Sequence, residues 1–271
     1  MIGSSRALLQ AAAGGGSSAW DVSSASYLQS FSVAAEEINP RELFFKPDGT
    51  KMYVNGSAGD AVYEYDLSSA WDVSSASYLQ NFSVAAQETT PTGLFFKPDG
   101  TKMYVTGIDG DNVNEYDLSS AWDVSSASYL QNFSVAAQET GPQGLFFKPD
   151  GTKMYVSGFN GSDVNEYDLS SAWDVSSASY LQNFSVAAQE VNPRGLFFKP
   201  DGTKMYVNGT AADNVNEYDL SSAWDVSSAS YLQNFSVAAQ EITPTGLFFK
   251  PDGTKMYVSG STGDDVNEYD L

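Results

Sequence analysis

Gly93-Leu-Phe-Phe-Lys-Pro-Asp-Gly-Thr-Lys-Met-Tyr-Val-Thr106 holds the pattern that decides the fold. Two short apolar runs, Gly93 to Lys97 and Lys102 to Thr106, flank Pro98-Asp99-Gly100-Thr101. In that turn Pro presets φ and Gly accepts a positive one, so the runs read as strands joined tightly. A Gly/Asp/Asn-rich loop, Gly107 to Asp111, leads to a third strand, Val113-Asn-Glu-Tyr-Asp-Leu118. Upstream, Tyr78 to Val84 sets Tyr, Gln, Phe and Val against Leu, Asn and Ser. That period of two marks a half-buried strand. No segment sustains a 3.6-residue period, and Gly and Pro recur too often for helix.

The pattern recurs along the whole chain. Trp20, Trp71, Trp122, Trp173 and Trp224 are each 51 residues apart, and units begin at Ser17, Ser68, Ser119, Ser170 and Ser221. Four short antiparallel strands per repeat at this period predict an all-β protein, a five-bladed β-propeller with one unit per blade. A solenoid, with repeats of about twenty to thirty residues or with helices, matches the unit less well. Residues 17–271 are expected to form a single domain. Residues 1–16 have no counterpart in the repeats and end in Gly14-Gly-Gly16, which predicts a flexible leader.

Composition narrows the chemistry. With no cysteine and no histidine, disulfides, His-based triads and Cys/His metal centres are excluded. A formal charge of −21 repels nucleic acid and anionic lipid, so neither is an expected partner. No apolar run approaches the roughly eighteen residues of a membrane span, so a soluble chain, expected to be a monomer, is predicted.

Pro91-x-Gly93-Leu-Phe-Phe-Lys-Pro-Asp-Gly-Thr-Lys-Met-Tyr-Val105, followed by Asp-Asn-Val-Asn-Glu-Tyr-Asp-Leu118, resembles the YVTN family of β-propeller repeats. The resemblance covers about thirty residues of each unit and speaks for fold; propellers host unrelated activities. It implies that the Leu94 strand is innermost, followed outward by the Met103 and Val113 strands and the Tyr129 strand of the next unit. Units and blades are then out of phase, so Tyr27 to Val33 must complete the blade built from Leu247 to Leu271. The Ser/Trp-rich linker resembles repeats of marine viral and microbial proteins. The opening Ser4-Ser-Arg-Ala-Leu-Leu-Gln-Ala-Ala-Ala-Gly14 resembles the start of some phage-associated proteins, which implies host attachment and a virion or extracellular setting.

The five units are identical in 38 of 51 columns. Four of the other columns depart only in the first unit, at Ser30, Glu36, Glu42 and Tyr63, and nine vary more widely. Those nine lie in the loop before the inner strand and in or beside the loop between the second and third strands. A meander brings both loops to one end, here called the top. The candidate ligand contacts are Ile38, Asn39, Arg41, Asn55, Ser57 and Asp60 in the first unit, and Thr89, Thr90, Thr92, Ile108, Asp109 and Asp111 in the second. They continue with Gln143, Phe159, Asn160 and Asp163 in the third unit and Asn192, Arg194, Thr210, Asp213 and Asn214 in the fourth. Thr243, Thr245, Ser261, Thr262, Asp264 and Asp265 complete the set in the fifth. Loops tolerate drift, but the equally loop-like opposite face has not drifted, which favours a binding face.

Catalytic and metal chemistry find less support. Glu88, Asp99, Glu115, Asp117 and their equivalents supply carboxylates for glycoside hydrolysis, yet fivefold copies share one environment, whereas an acid and its partner need different ones. Asp111 and Asp264 are oxygen donors without the order of an EF-hand loop, and no phosphate-cradling or dinucleotide motif occurs. No cofactor and no metal site is therefore expected. The tryptophans read as packing between blades rather than sugar platforms. The expected function is non-catalytic recognition of a surface glycan or a protein. A lactonase- or glycosidase-type enzyme and a consensus or engineered scaffold without a natural ligand are the alternatives.

Overall fold

Each unit feeds two neighbouring sheets. The computed structural model describes residues 18–271, and the expected leader at residues 1–16 lies outside them. After β1 (Ser26–Ser32) the first full blade comprises β2 (Pro40–Phe45), β3 (Lys51–Gly56), β4 (Ala61–Leu67) and β5 (Ala76–Ser83). The second has β6 (Pro91–Phe96), β7 (Lys102–Gly107), β8 (Asn112–Leu118) and β9 (Ala127–Ser134). The third has β10 (Pro142–Phe147), β11 (Lys153–Gly158), β12 (Asp163–Leu169) and β13 (Ala178–Ser185). The fourth has β14 (Pro193–Phe198), β15 (Lys204–Gly209), β16 (Asn214–Leu220) and β17 (Ala229–Ser236). In the fifth, β18 (Pro244–Phe249), β19 (Lys255–Gly260) and β20 (Asp265–Asp270) are completed by β1, antiparallel to β20. The protein is a five-bladed β-propeller closed by its own first strand.

Met103, Tyr104 and Val105 on β7 are all buried, as are their equivalents, because adjacent blades cover both faces of the middle strands. Two-sided burial writes a continuous apolar run rather than an alternating one. The outer strand departs from the simple alternation expected of it. Glu115 pairs with Gln131 but Tyr116 pairs with Tyr129, so Leu130 is an extra, bulged residue. Beyond the bulge Tyr129 is exposed rather than buried, and only Phe133 and Gln131 lean inward before the fully buried Val135.

The axis is plugged. Phe44, Phe95, Phe146, Phe197 and Phe248 form a closed ring of edge-to-face pairs with centroids 5.2 Å apart. Next to the equivalent ring of leucines they leave a cavity of about 10 Å³, room for one water at most. The tryptophans pack between blades as expected. Trp122 stacks on Phe44 and Phe96 at 6.3 and 5.8 Å, and its carbonyl accepts from Tyr53 Oη at 2.7 Å. Its ring lies across Gly100, whose φ is +73° and where a Cβ would come within 2.4 Å of the indole.

Neighbouring blades are also tied by polar bonds. Glu115 is buried, pairs with Lys102 at 2.5 Å and accepts from Gln131 Nε2 and from Val175 N at 3.0 and 3.1 Å. At the closure Gln29 of β1 repeats this arrangement, donating to Glu268 at 2.9 Å and to Asp72 at 2.8 Å.

Candidate ligand-binding face

The two variable loops of each unit are held by one invariant carboxylate. Glu88 is buried, and its oxygens accept from Thr90 N, Asp109 N and Gly110 N at 2.9, 3.2 and 3.2 Å. Gly107 makes room, since a Cβ there would sit 2.2 Å from the Glu88 carboxyl carbon. Glu139 grips Gly141, Asn160 and Gly161 in the same way. Loop tips can therefore change while their backbone stays fixed. Glu88 and Glu115 are clamps, Asp117 pairs with Lys102 at 2.7 Å, and Asp99 caps its turn by accepting from Thr101 N at 3.0 Å. Among the described residues no group of three or more acidic side chains converges as a metal site would require.

Across the second, third and fourth blades the top face opens into a cleft of about 340 Å³ lined by Ile108, Asp109, Thr140, Gly141, Gln143, Phe159, Asn160 and Arg194. Six of these belong to the expected set. Thr140 and Gly141 do not, although both lie in variable columns that could have revealed them. Ile108 and Phe159 are 38% and 40% exposed. The Arg194 guanidinium lies 5.5 Å from the Phe159 ring centroid, and its Nη1 donates to Gln143 Oε1 at 2.6 Å. Asp109 accepts from the hydroxyls of Thr89 and Thr90, and Asn160 Nδ2 donates to Thr140 Oγ1 at 2.9 Å. Burial, then the charge of Arg41, lowers the Arg194 pKa from its ordinary value; burial also lowers that of Arg41, against the pull of Glu37.

The remaining expected residues are spread around the same face, outside the cleft. Asn39 Nδ2 and Arg41 Nε both donate to Ser57 Oγ, at 2.7 and 3.2 Å, beside the exposed Ile38. Thr243 and Thr262 share a hydroxyl bond of 2.7 Å. Ser261, Asn192, Thr210, Asn214 and Asp265 are half-buried on their own loops and strand ends. Asp60, Asp111, Asp213 and Asp264 have φ near +50°, which assigns them to turn geometry.

Five expected contacts are buried: Gln143, which lines the cleft, and four that serve the scaffold. Asn55, Thr92, Asp163 and Thr245 sit where strand ends meet a neighbouring strand, so variation there answers hydrogen bonding inside the ring. Thr92 Oγ1 donates to Pro142 O at 2.8 Å and Thr245 Oγ1 to Pro40 O at 3.0 Å, each bridging to the next inner strand. Asp163 accepts from Asn165 and Asn183, both at 2.7 Å. Where the inner strand carries Arg41 or Arg194, a buried Asn on the second strand makes the bridge. Asn55 Nδ2 reaches Gly93 O at 3.2 Å, and Asn208 Nδ2 reaches Gly246 O at 2.9 Å. The asparagines take that bridge over, and Arg194 keeps a single cross-blade side-chain bond, to Gln143 on β10.

No family model matches the chain, and no curated protein does. Solved structures match its fold. A protein from Lactobacillus plantarum aligns with a TM-score of 0.53 at 14% identity, over 85% of this chain and 67% of that one. A putative 6-phosphogluconolactonase from Bacteroides uniformis aligns with a TM-score of 0.52 at 15% identity, over 82% of this chain. This chain spans only 64% of that protein's length. At such identities the likeness is one of fold alone.

Proposed function

We propose that this propeller is a non-catalytic binding protein whose top-face cleft receives a saccharide unit of a surface glycan. One observation carries the reading: all eight residues lining the cleft come from the nine widely varying columns, and none from the 38 invariant ones. Its volume is at the lower end of the range for small-molecule sites. Ile108 and Phe159 offer apolar surface to the C–H face of a sugar, and Asp109, Asn160 and Arg194 offer donors and acceptors to its hydroxyls.

A glycan-array screen of the purified protein tests this. Phe159→Ala is expected to weaken binding by about 1–3 kcal/mol and to lower the melting temperature less than a core truncation would, since Phe159 keeps 40% of its surface exposed in the free protein. Wild-type binding that is indifferent to Phe159 and Ile108 but lost on changing Pro-Asp-Gly-Thr turns would place the site on the opposite face. Lactone and glycoside hydrolysis assays on the same preparation address the enzymatic alternative, and turnover above background would replace the binding reading.

A further inference from the structure

The cations of this acidic protein are unevenly used. All ten lysines are ion-paired, five to the Asp of their own Pro-Asp-Gly turn at 2.7–2.8 Å, as in Lys97–Asp99 at 2.7 Å. The other five each bridge a Glu and an Asp, as Lys102 does with Glu115 and Asp117. Arg41 and Arg194 have no carboxylate within 4.0 Å among the described residues, in a chain carrying 34 acidic side chains. Both occupy the same column, at the top end of an inner strand. In both units a buried Asn has taken over the bridge that Thr92 and Thr245 make for themselves.

Arg194 keeps most of its donors free. One N–H goes to the Gln143 carbonyl oxygen, while Nε is buried with no partner among the described residues, and a buried donor left unmet is costly. The planar fork of a guanidinium suits a carboxylate or another oxyanion, which can accept two parallel bonds. On the other side of the cleft the Asp109 carboxylate is engaged by Thr89 and Thr90, so the two walls carry opposite charge.

We propose that Arg194 receives an oxyanion on the bound ligand, making the saccharide an acidic one. This rests on the cleft reading above and adds the charge of its occupant. Matched neutral, carboxylated and sulfated forms of one saccharide, titrated against the full chain, separate the two possible sources of the anion. The acidic forms are expected to bind about 10- to 100-fold more tightly than the neutral form. Arg194→Gln, which places in the fourth unit the residue the third already carries, should bring the acidic forms down to the affinity of the neutral form and leave the melting temperature nearly unchanged.

A second readout needs no saccharide. The chain has three arginines, so the Nε–H resonances of Arg41 and Arg194 can be assigned by substitution and followed during titration with inorganic sulfate and with acetate. Saturable movement of the Arg194 signal supports the inference. Equal affinity for neutral and acidic forms, with a static Arg194 resonance, overturns it while leaving the cleft as a neutral-sugar site. Saturable anion binding without affinity for any saccharide retains the anion site and removes the glycan reading.

Discussion

Glu42 stands where the other four units have Gly93, Gly144, Gly195 and Gly246. Its carboxyl occupies space that Gly246 leaves empty beside the axis, with Oε1 accepting from Leu247 N and Leu43 N at 2.8 and 3.1 Å. Burial among leucines and phenylalanines raises its pKa well above the carboxylate range, against the pull of those two bonds. The folded state therefore holds the proton more tightly than the unfolded state. Stability from this group is complete below about pH 4.3 and is lost as pH rises through the folded pKa. Glu42→Gln keeps the acceptor and removes the titration. Its denaturant midpoint should exceed that of the wild type at pH 8, with the gap shrinking towards pH 4; a gap independent of pH would contradict the assignment. In the sequence Glu42 is visible only as a departure of the first unit. Its burial depends on a glycine 204 residues away in sequence, which no local pattern reveals.

At the scale of strands and loops, legibility follows burial. The two innermost strands of each blade are plain in the sequence because covering both faces demands apolar runs such as Leu94 to Phe96 and Met103 to Val105, while the third interleaves Val113, Tyr116 and Leu118 with buried Asn114 and Glu115. The outer strand is plain in position but not in detail, since its bulge at Leu130 is set by pairing with β8. Most of the cleft was legible: Ile108, Asp109, Gln143, Phe159, Asn160 and Arg194 stand out as variable positions, while the role of Asn55 and Thr92 depends on which neighbouring strand they face. The hairpin of β7 and β8 carries a testable imperfection of the same origin. Both amide atoms of Asn114 are buried without partners among the described residues, whereas the first unit fills that column with Tyr63. Its hydroxyl would lie 2.0 Å from a Cβ on Gly59, so it fits only beside glycine. Asn112→Ala with Asn114→Tyr, which reproduces beside Gly110 the Ala61 and Tyr63 that the first unit sets beside Gly59, should raise stability by about 1–2 kcal/mol. Asn216→Tyr, facing Ala212, should lower it, and chemical denaturation of the two variants side by side checks the contrast.

For the molecule as a whole, stability depends on the ring being shut. Deleting residues 1–33 removes β1 from β20 and takes Trp20 off Phe249, to which it is stacked at 5.8 Å. The truncated chain should melt far below the intact one, and a synthetic peptide of residues 18–33 should restore part of the loss; an unchanged melting temperature would show that the closing strand is dispensable. The closing strand differs from its counterparts only at Ser30, and it meets the last blade through the same register and the same Gln–Glu–Asp bonds that join the others. The seam is thus chemically interchangeable with every internal boundary. Unequal crossing-over between repeats in the gene, which adds or removes 51 residues at a stroke, would leave the two ends still matched. Such an event would change the girth of the ring, and a sixth phenylalanine at the same spacing would widen the aromatic plug. Copy number, with no point mutation, would then set the bore of the axis.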